Sequence, residues 1–297
     1  IRDRGPGQVS PFAIPALSGS MAAAQVSMRY GLTGPVITQV AACASGVIAF
    51  QDALRLIAGG ESDVVIAGGS EAPLAYGVIR AWLALQVLAP GDAASAARAC
   101  RPFQLGRAGL VLAEGGGALV LEDWARAEQR GARIYAELAG YGESCDHGNL
   151  VRPSSEGQAR ALRAALADAA MTPQDFDYVS AHATGTREGD SIEVAALTAV
   201  FGARAAGLAV SATKSAHGHA LGAAGALAAA FTVLGLHHGV VPPTLGEAAD
   251  LDPECAGVAH VTGAPRRGAA LRAALTNAFA FGGSNAVLAF RARAAPD

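Results

Sequence analysis

Four side chains have the types and settings to do chemistry together: Cys43, His182, Lys214 and His219. Each falls at the end of a β-prone run or on the adjoining loop. Cysteine with imidazole is the usual pairing for acyl transfer through a thioester. Two neutral imidazoles can also donate hydrogen bonds to a developing enolate. Cys43 stands in the small-residue corner Ala41-Ala42-Cys43-Ala44-Ser45-Gly46. The free N–H groups and positive dipole end of a following helix favour thiolate over thiol there. Plainer readings stand beside these. Cys43 taken alone reads as a buried structural thiol, and His182, on a Gly/Thr loop, as an exposed and idle imidazole. A zinc site built from Cys43, His182, His217 and His219 is a third reading. Flexible small-residue corners and the want of an acidic group to orient the imidazoles speak against it, so no metal is expected.

The elements that must position these groups follow from periodicity. Residues 36–40 (VITQV) read as a strand entering the Cys43 corner. Beyond it Val47, Phe50, Leu54 and Ile57 recur three or four apart, one buried helix face closed by Gly59-Gly60. Before it, 10–15 read as a loop and 18–30 as a helix. Residues 63–67 predict a short strand ending in Gly68-Gly69-Ser70-Glu71, and 78–88 a helix carrying Trp82. Residues 117–122 alternate as a strand, a helix follows to Arg130, and 134–141 form another strand. Helix 156–170 leads to strand 178–181. Asp190, with Glu193 three residues on, predicts a capping box for the next helix. Strand 208–211, a small-residue corner at 212–218 and an apolar helix at 219–236 echo the Cys43 unit, with a histidine at the corner. Strands 273–279 and 286–291 close the chain around Ala280-Phe281-Gly282-Gly283-Ser284.

Composition limits the function classes. The chain has 297 residues, 52% hydrophobic and 16% charged, with 37 glycines, which fits an α/β protein with many buried elements and argues against disorder. A net charge of −3 leaves no nucleic-acid footprint. Cys43, Cys100, Cys145 and Cys255 show no paired spacing, so free thiols in a reducing, cytoplasmic setting are expected. The apolar run 220–236 is rich in Ala and Gly and just short of a span, and it predicts a helix sandwiched between sheets rather than in a membrane. The chain opens without Met, as a fragment or processed chain would.

Motifs along nearly the whole chain carry a resemblance. They are SPFAIP (10–15), YGLTGP (30–35), ACASG (42–46), VIAGGSEA (65–72), RPF (101–103), AEGGGALVLE (113–122), AHATGTREGD (181–190), SATKSAHGHALGAAG (211–225) and NAFAFGGSNA (277–286). In this order they resemble a β-ketoacyl-acyl carrier protein synthase of the elongating, decarboxylating type, of fatty-acid or polyketide pathways. The resemblance implies an α/β thiolase-like fold, five-layered αβαβα, with two related halves and the first incomplete. The halves would be 1–130, carrying Cys43, and 131–297, carrying the histidines.

The resemblance also implies roles. Cys43 would be the nucleophile that takes an acyl chain from the phosphopantetheine of an acyl carrier protein. His182 and His219 would assist decarboxylation of the malonyl thioester and stabilise the enolate. Lys214 would organise His219. The backbone N–H groups of Cys43 and Phe281 would form an oxyanion hole, with Phe281 also gating the acyl pocket. Thr184, Thr186, Phe279, Gly282 and Gly283 would contact substrate, and Trp82 would lie near the acyl channel or, equally, pack in the core. No cofactor is implied. The implied partners are the carrier protein and, in a homodimer or heterodimer, an identical or related ketosynthase-like subunit. A catalytically silent chain-length or scaffold subunit is the alternative; such subunits typically replace the cysteine, which is present here.

The chain also departs from the family's pattern. A leading segment of about a quarter of the usual length is absent. The turn usually read as Arg-Asp-Gly-Phe is Arg107-Ala108-Gly109-Leu110, which predicts a less ordered loop. A glutamate after the Gly-Ala-Ala-Gly run is Ala228, a lean away from housekeeping fatty-acid synthesis. Gly7-Gln8 replaces a basic pair expected to help dock an acidic carrier protein. Ala280 replaces a glycine, which predicts a stiffer gate.

Overall fold

The computed structural model describes residues 9–92 and 94–293. Gly7-Gln8 lies outside them. The chain divides after Val40 into two compact units. In the first, α1 (Ala13–Leu17) occupies part of the expected loop, and α2 (Met21–Tyr30) starts later than periodicity suggests. Residues 36–40 are not a strand. Val36, Ile37 and Val40 are 46%, 49% and 87% exposed, and β-propensity without a hydrogen-bonded neighbour does not make a ladder.

The second unit runs α3 (Ser45–Ala58), β1 (Val64–Glu71), α4 (Tyr76–Ala84), β2 (Gly115–Glu122), α5 (Trp124–Gln129), β3 (Ala136–Cys145) and α6 (Ser155–Asp168). It continues β4 (Tyr178–Ser180), α7 (Arg187–Phe201), β5 (Ala209–Ser211), α8 (Lys214–His217), α9 (Ala224–His238), β6 (Val240–Val241), β7 (Ala259–His260), β8 (Arg266–Arg267), β9 (Ala273–Phe279) and β10 (Ser284–Ala292). Boundaries differ from the sequence reading mostly by a few residues. Gly68-Gly69-Ser70-Glu71 belongs to β1 rather than following it, because Gly68 and Gly69 pair with Ala118 and Gly117 of β2.

Six strands form one sheet in the order β3-β10-β9-β4-β5-β7. β9, β4, β5 and β7 are parallel, and β10 runs antiparallel to both β9 and β3. β1 and β2 form a separate antiparallel pair. Alternation along the strands sends Val179, Leu275 and Val287 to one face, against Leu162 of α6 and Leu197 of α7. Tyr178, Ala274 and Leu288 go to the other, against Phe50 of α3 and Val233 of α9, with Ala67 of β1 beyond. The second unit is therefore layered as sheet, helices, sheet, helices, an α/β arrangement with α3 and α9 buried between two sheets.

α9 is apolar all round and mostly covered, with Phe231 and Leu234 left 36% and 43% exposed. The 18-residue apolar stretch at Leu221–His238 is 56% buried inside the protein, as a core helix is. α3 and α9 cross with their backbones nearly touching. A Cβ on Gly46 would lie 2.7 Å from the Ala226 nitrogen, and one on Gly225 would lie 3.0 Å from the Val47 nitrogen. Both glycines sit in the first turn or two of their helices, so the crossing brings the two helix starts together. Neither backbone can move aside between two sheets. Gly46→Ala is therefore expected to destabilise the protein by about 1–3 kcal/mol, read as a lower denaturation midpoint by circular dichroism. An unchanged midpoint would mean that the crossing is looser than described.

Candidate active site

The parallel strands β4, β5 and β9 end on the same edge of the sheet. His182 follows β4, Lys214 opens α8 after β5, and Phe281 follows β9. Cys43 and His219 arrive from the helix side, each just ahead of one of the two crossing helices. His219 Nε2 lies 3.0 Å from Cys43 Sγ, and the His182 and His219 rings meet edge to face at 5.4 Å. The donor atoms of Cys43, His182 and His219 all fall within 4.8 Å of one another. His217 is not part of this group: its ring bonds Thr213 and packs on Phe231.

The loop after β4 is held by buried polar groups. The Glu193 carboxylate accepts from the N–H groups of His182 and Ala183, both at 2.8 Å, and from Asn277 Nδ2 at 2.9 Å. Asp190 does not cap α7. It lies inside the helix, fully buried, and accepts from Gly185 N at 3.1 Å and Phe103 N at 2.8 Å. The helix already begins at Arg187, which leaves the Asp190 side chain free to brace the loops beside it. Arg107 is 1% exposed and donates to the carbonyls of Gln104, Thr186 and Arg187 and to the Asp252 carboxylate. The turn expected to be loose is thus tied down by its arginine. Gly109 donates to the Gly185 carbonyl at 3.0 Å, so this turn in turn supports the histidine loop.

Burial sets the charges. Desolvation pushes the Cys43 thiol up to about 11, and the Lys214 charge pulls it only part of the way back. This corrects the expectation of a thiolate held by the helix end: loss of water outweighs both the Lys214 charge and the Cys43 N–H, which favour the thiolate. Burial first, and the Lys214 charge second, hold both His182 and His219 well below the ordinary imidazole range. They are neutral imidazoles at neutral pH. Lys214 is lowered by its own burial and sustained mainly by the facing Glu193 carboxylate, itself raised by burial. Its effect on His219 is through charge, for no hydrogen bond links them among the described residues.

A cavity of about 440 Å³ opens from Cys43, His182 and His219. Phe279, Phe281, Gly283, Thr184, Thr186 and Trp82 also line it. Trp82 is half-buried and stacks on Phe281 with ring centroids 6.0 Å apart, so it faces the cavity rather than the core. The Cys43 and Phe281 N–H groups make no backbone hydrogen bond among the described residues. In the Phe281 loop, Gly282 and Gly283 adopt φ of +87° and +77°, whereas Ala280 takes an ordinary backbone and adds no strain. Ala228 is buried in α9 among small residues. The sequence reading missed the bracing roles of Glu193, Asn277 and Arg107. The signal for Glu193 was a carboxylate beside the apolar run Val194 to Leu197, which is costly to bury unless it is bonded.

Residues 2–127 match the model of the β-ketoacyl synthase N-terminal domain, and residues 135–247 that of its C-terminal domain. Nodulation protein E of Rhizobium sp. (strain N33) is 48% identical over 94% of this chain and 67% of its own length. The 3-oxoacyl-(acyl-carrier-protein) synthase 2 of Staphylococcus aureus (strain COL) is 41% identical over 98% of this chain and 70% of its own length. The chain thus spans about two thirds of the length of these relatives. Among solved structures, AntDE:AntF, a type II PKS acyl-carrier protein in complex with its ketosynthase bound to the hexaketide, superposes with a TM-score of 0.93. The match is 33% identical and covers 98% of this chain and 71% of that one. The ishigamide ketosynthase/chain length factor gives a TM-score of 0.89 at 33% identity, over 97% of this chain and 69% of that one. With both halves of the family model matched in order, and a thiolase-like fold shared with these ketosynthases, the chain belongs to the β-ketoacyl synthase family.

Proposed function

We propose that the protein is a condensing acyltransferase that joins an acyl chain held on Cys43 to a malonyl thioester with loss of carbon dioxide. The observation that carries this reading is the 3.0 Å contact between Cys43 Sγ and His219 Nε2 beside a second neutral imidazole, His182. In the first step the thiol proton passes to His219 as sulfur attacks the thioester carbon, and the carrier's thiol leaves with a proton. Because the thiol is buried and protonated, transfer and attack go together rather than through a standing thiolate. The tetrahedral oxyanion is taken by the N–H groups of Cys43 and Phe281. In the second step His182 and His219, kept neutral by burial and by Lys214, donate hydrogen bonds to the thioester oxygen of the malonyl unit. Carbon dioxide departs, the electron pair is held as an enolate, and its carbon attacks the acyl–Cys43 carbonyl. The C–S bond breaks and the Cys43 sulfur takes up a proton from solvent.

Thr184, Thr186, Phe279, Gly282 and Gly283 are proposed to contact the pantetheine arm and acyl chain. Phe281, backed by Trp82, is proposed as the gate. No metal or organic cofactor takes part in this scheme, since the thioester supplies the activation. The proposed partners are an acyl carrier protein and a second, identical or related, ketosynthase-like subunit, in the cytoplasm. Residues 1–130 and 131–297 would be the two halves of the enzyme. A thiol within reach of a base favours the active enzyme over a silent subunit.

Four outcomes are expected. Intact-mass measurement after mixing with an acyl-carrier protein should show one acyl adduct, absent from Cys43→Ala; a folded protein that never loads would sink the proposal. His182→Ala should still load Cys43 yet lose condensation with malonyl-carrier protein by about 10²–10⁴-fold. Equal losses in both steps would remove its assigned role. The rate of Cys43 alkylation by iodoacetamide should climb about tenfold per pH unit from pH 7 to 9, because a thiol raised to about 11 gains thiolate throughout that window. Lys214→Met removes the charge that lowers the thiol and should slow alkylation. A plateau near neutrality would instead mean a preformed thiolate–imidazolium pair.

A further inference from the structure

The cavity is lined by a buried polar group that neither the fold nor the proposed chemistry uses. Gln158, in the first turn of α6, lines the same cavity as Cys43 yet is 1% exposed, and its Oε1 has no hydrogen-bond partner. Its polar neighbours on that wall are already engaged. Asn285 Nδ2 donates to Asp146 Oδ1 at 2.7 Å, and Asp146 Oδ2 accepts from Ser154 N at 3.0 Å. A buried carbonyl oxygen left unpaired is costly, and nearly all such groups in folded proteins find a partner. Helix formation does not require glutamine here; a leucine would fill the same wall without that cost.

We infer that Gln158 is a specificity-determining residue that pairs with an uncharged oxygen on the acyl chain, a keto or hydroxyl group. This inference rests on the acyl transfer proposed above. A saturated hydrocarbon chain leaves the amide unpaired, whereas a chain oxygen satisfies it. The amide offers a donor at one end and an acceptor at the other, and rotation exchanges them, so either a carbonyl or a hydroxyl fits. The chain apart from that oxygen meets Phe279 and Phe281.

The test is a competition in one tube. The full chain is offered equal amounts of a saturated acyl-pantetheine thioester and thioesters of the same length bearing a keto or hydroxyl group at successive carbons. Intact mass then reads the ratio of adducts on Cys43. The expected result is a preference of roughly tenfold or more for at least one oxygenated chain. Gln158→Met, of similar length and without the amide, should bring that ratio to about one while loading the saturated chain at least as well. Gln158→Ala should do the same. A native protein with no preference overturns the inference, whatever the variants do. So does a preference that survives both substitutions, or a loss that falls equally on every chain, which would place the amide on the pantetheine arm. Failure of the folded native protein to load any chain overturns the acyl-transfer reading itself, and this one with it.

Discussion

Two helices whose backbones nearly touch, between two sheets that prevent them from separating, hold the reactive residues in place. At the crossing, Gly46 of α3 faces the Ala226 nitrogen of α9, and Gly225 faces Val47. Larger residues would hold the helices apart by the thickness of a side chain, and the 3.0 Å contact between Cys43 and His219 would open by a similar amount. Phe50 and Val233 on the same helices are buried against the six-stranded sheet, so packing energy is spent on keeping the crossing tight.

The site's charges follow from its dryness. The Lys214 ammonium, lowered by its burial and sustained by the Glu193 carboxylate, faces a thiol and two imidazoles in a volume from which water is largely removed. Desolvation drives each titratable group toward its neutral form, and the lysine's field works with burial on the histidines and against it on the thiol. The result is a protonated nucleophile beside a neutral base, with neutral hydrogen-bond donors nearby. Such a centre reacts by moving a proton as bonds form. Glu193 serves structure and electrostatics together, for the carboxylate that balances Lys214 also fixes the backbone of the His182 loop.

Around this rigid centre the adaptable parts are few. The Phe281 loop turns on two glycines at positive φ, and its ring is backed by Trp82 rather than by the core. The opposite loop is locked by Arg107, whose buried guanidinium reaches carbonyls and a carboxylate on segments far apart in sequence. One wall of the cavity is thus fixed by ion pairing, and the other by hydrogen bonds from Gly282 N to the Leu150 carbonyl at 2.7 Å and from Asp146 N to the Gly283 carbonyl at 2.9 Å, with Trp82 stacked on the Phe281 ring.

Much of this was legible in the residues themselves. Periodicity located α3, β2, α6 and the closing strands, and the small-residue corners marked where Cys43 and His219 would stand, because close approach of backbones needs residues without bulk. The ordered motifs located the family. Other features needed the folded chain. Residues 36–40 are β-prone yet unpaired, since a strand depends on a neighbour that local sequence does not supply. Asp190 and Glu193 have the spacing of a helix cap, but the helix starts earlier and their carboxylates serve other loops. The direction of the Cys43 shift was reversed, because a helix dipole can be read from adjacent residues whereas desolvation comes from the whole surrounding protein. The unpaired amide of Gln158 is likewise invisible in a sequence: whether a polar group is satisfied depends on every element packed around it.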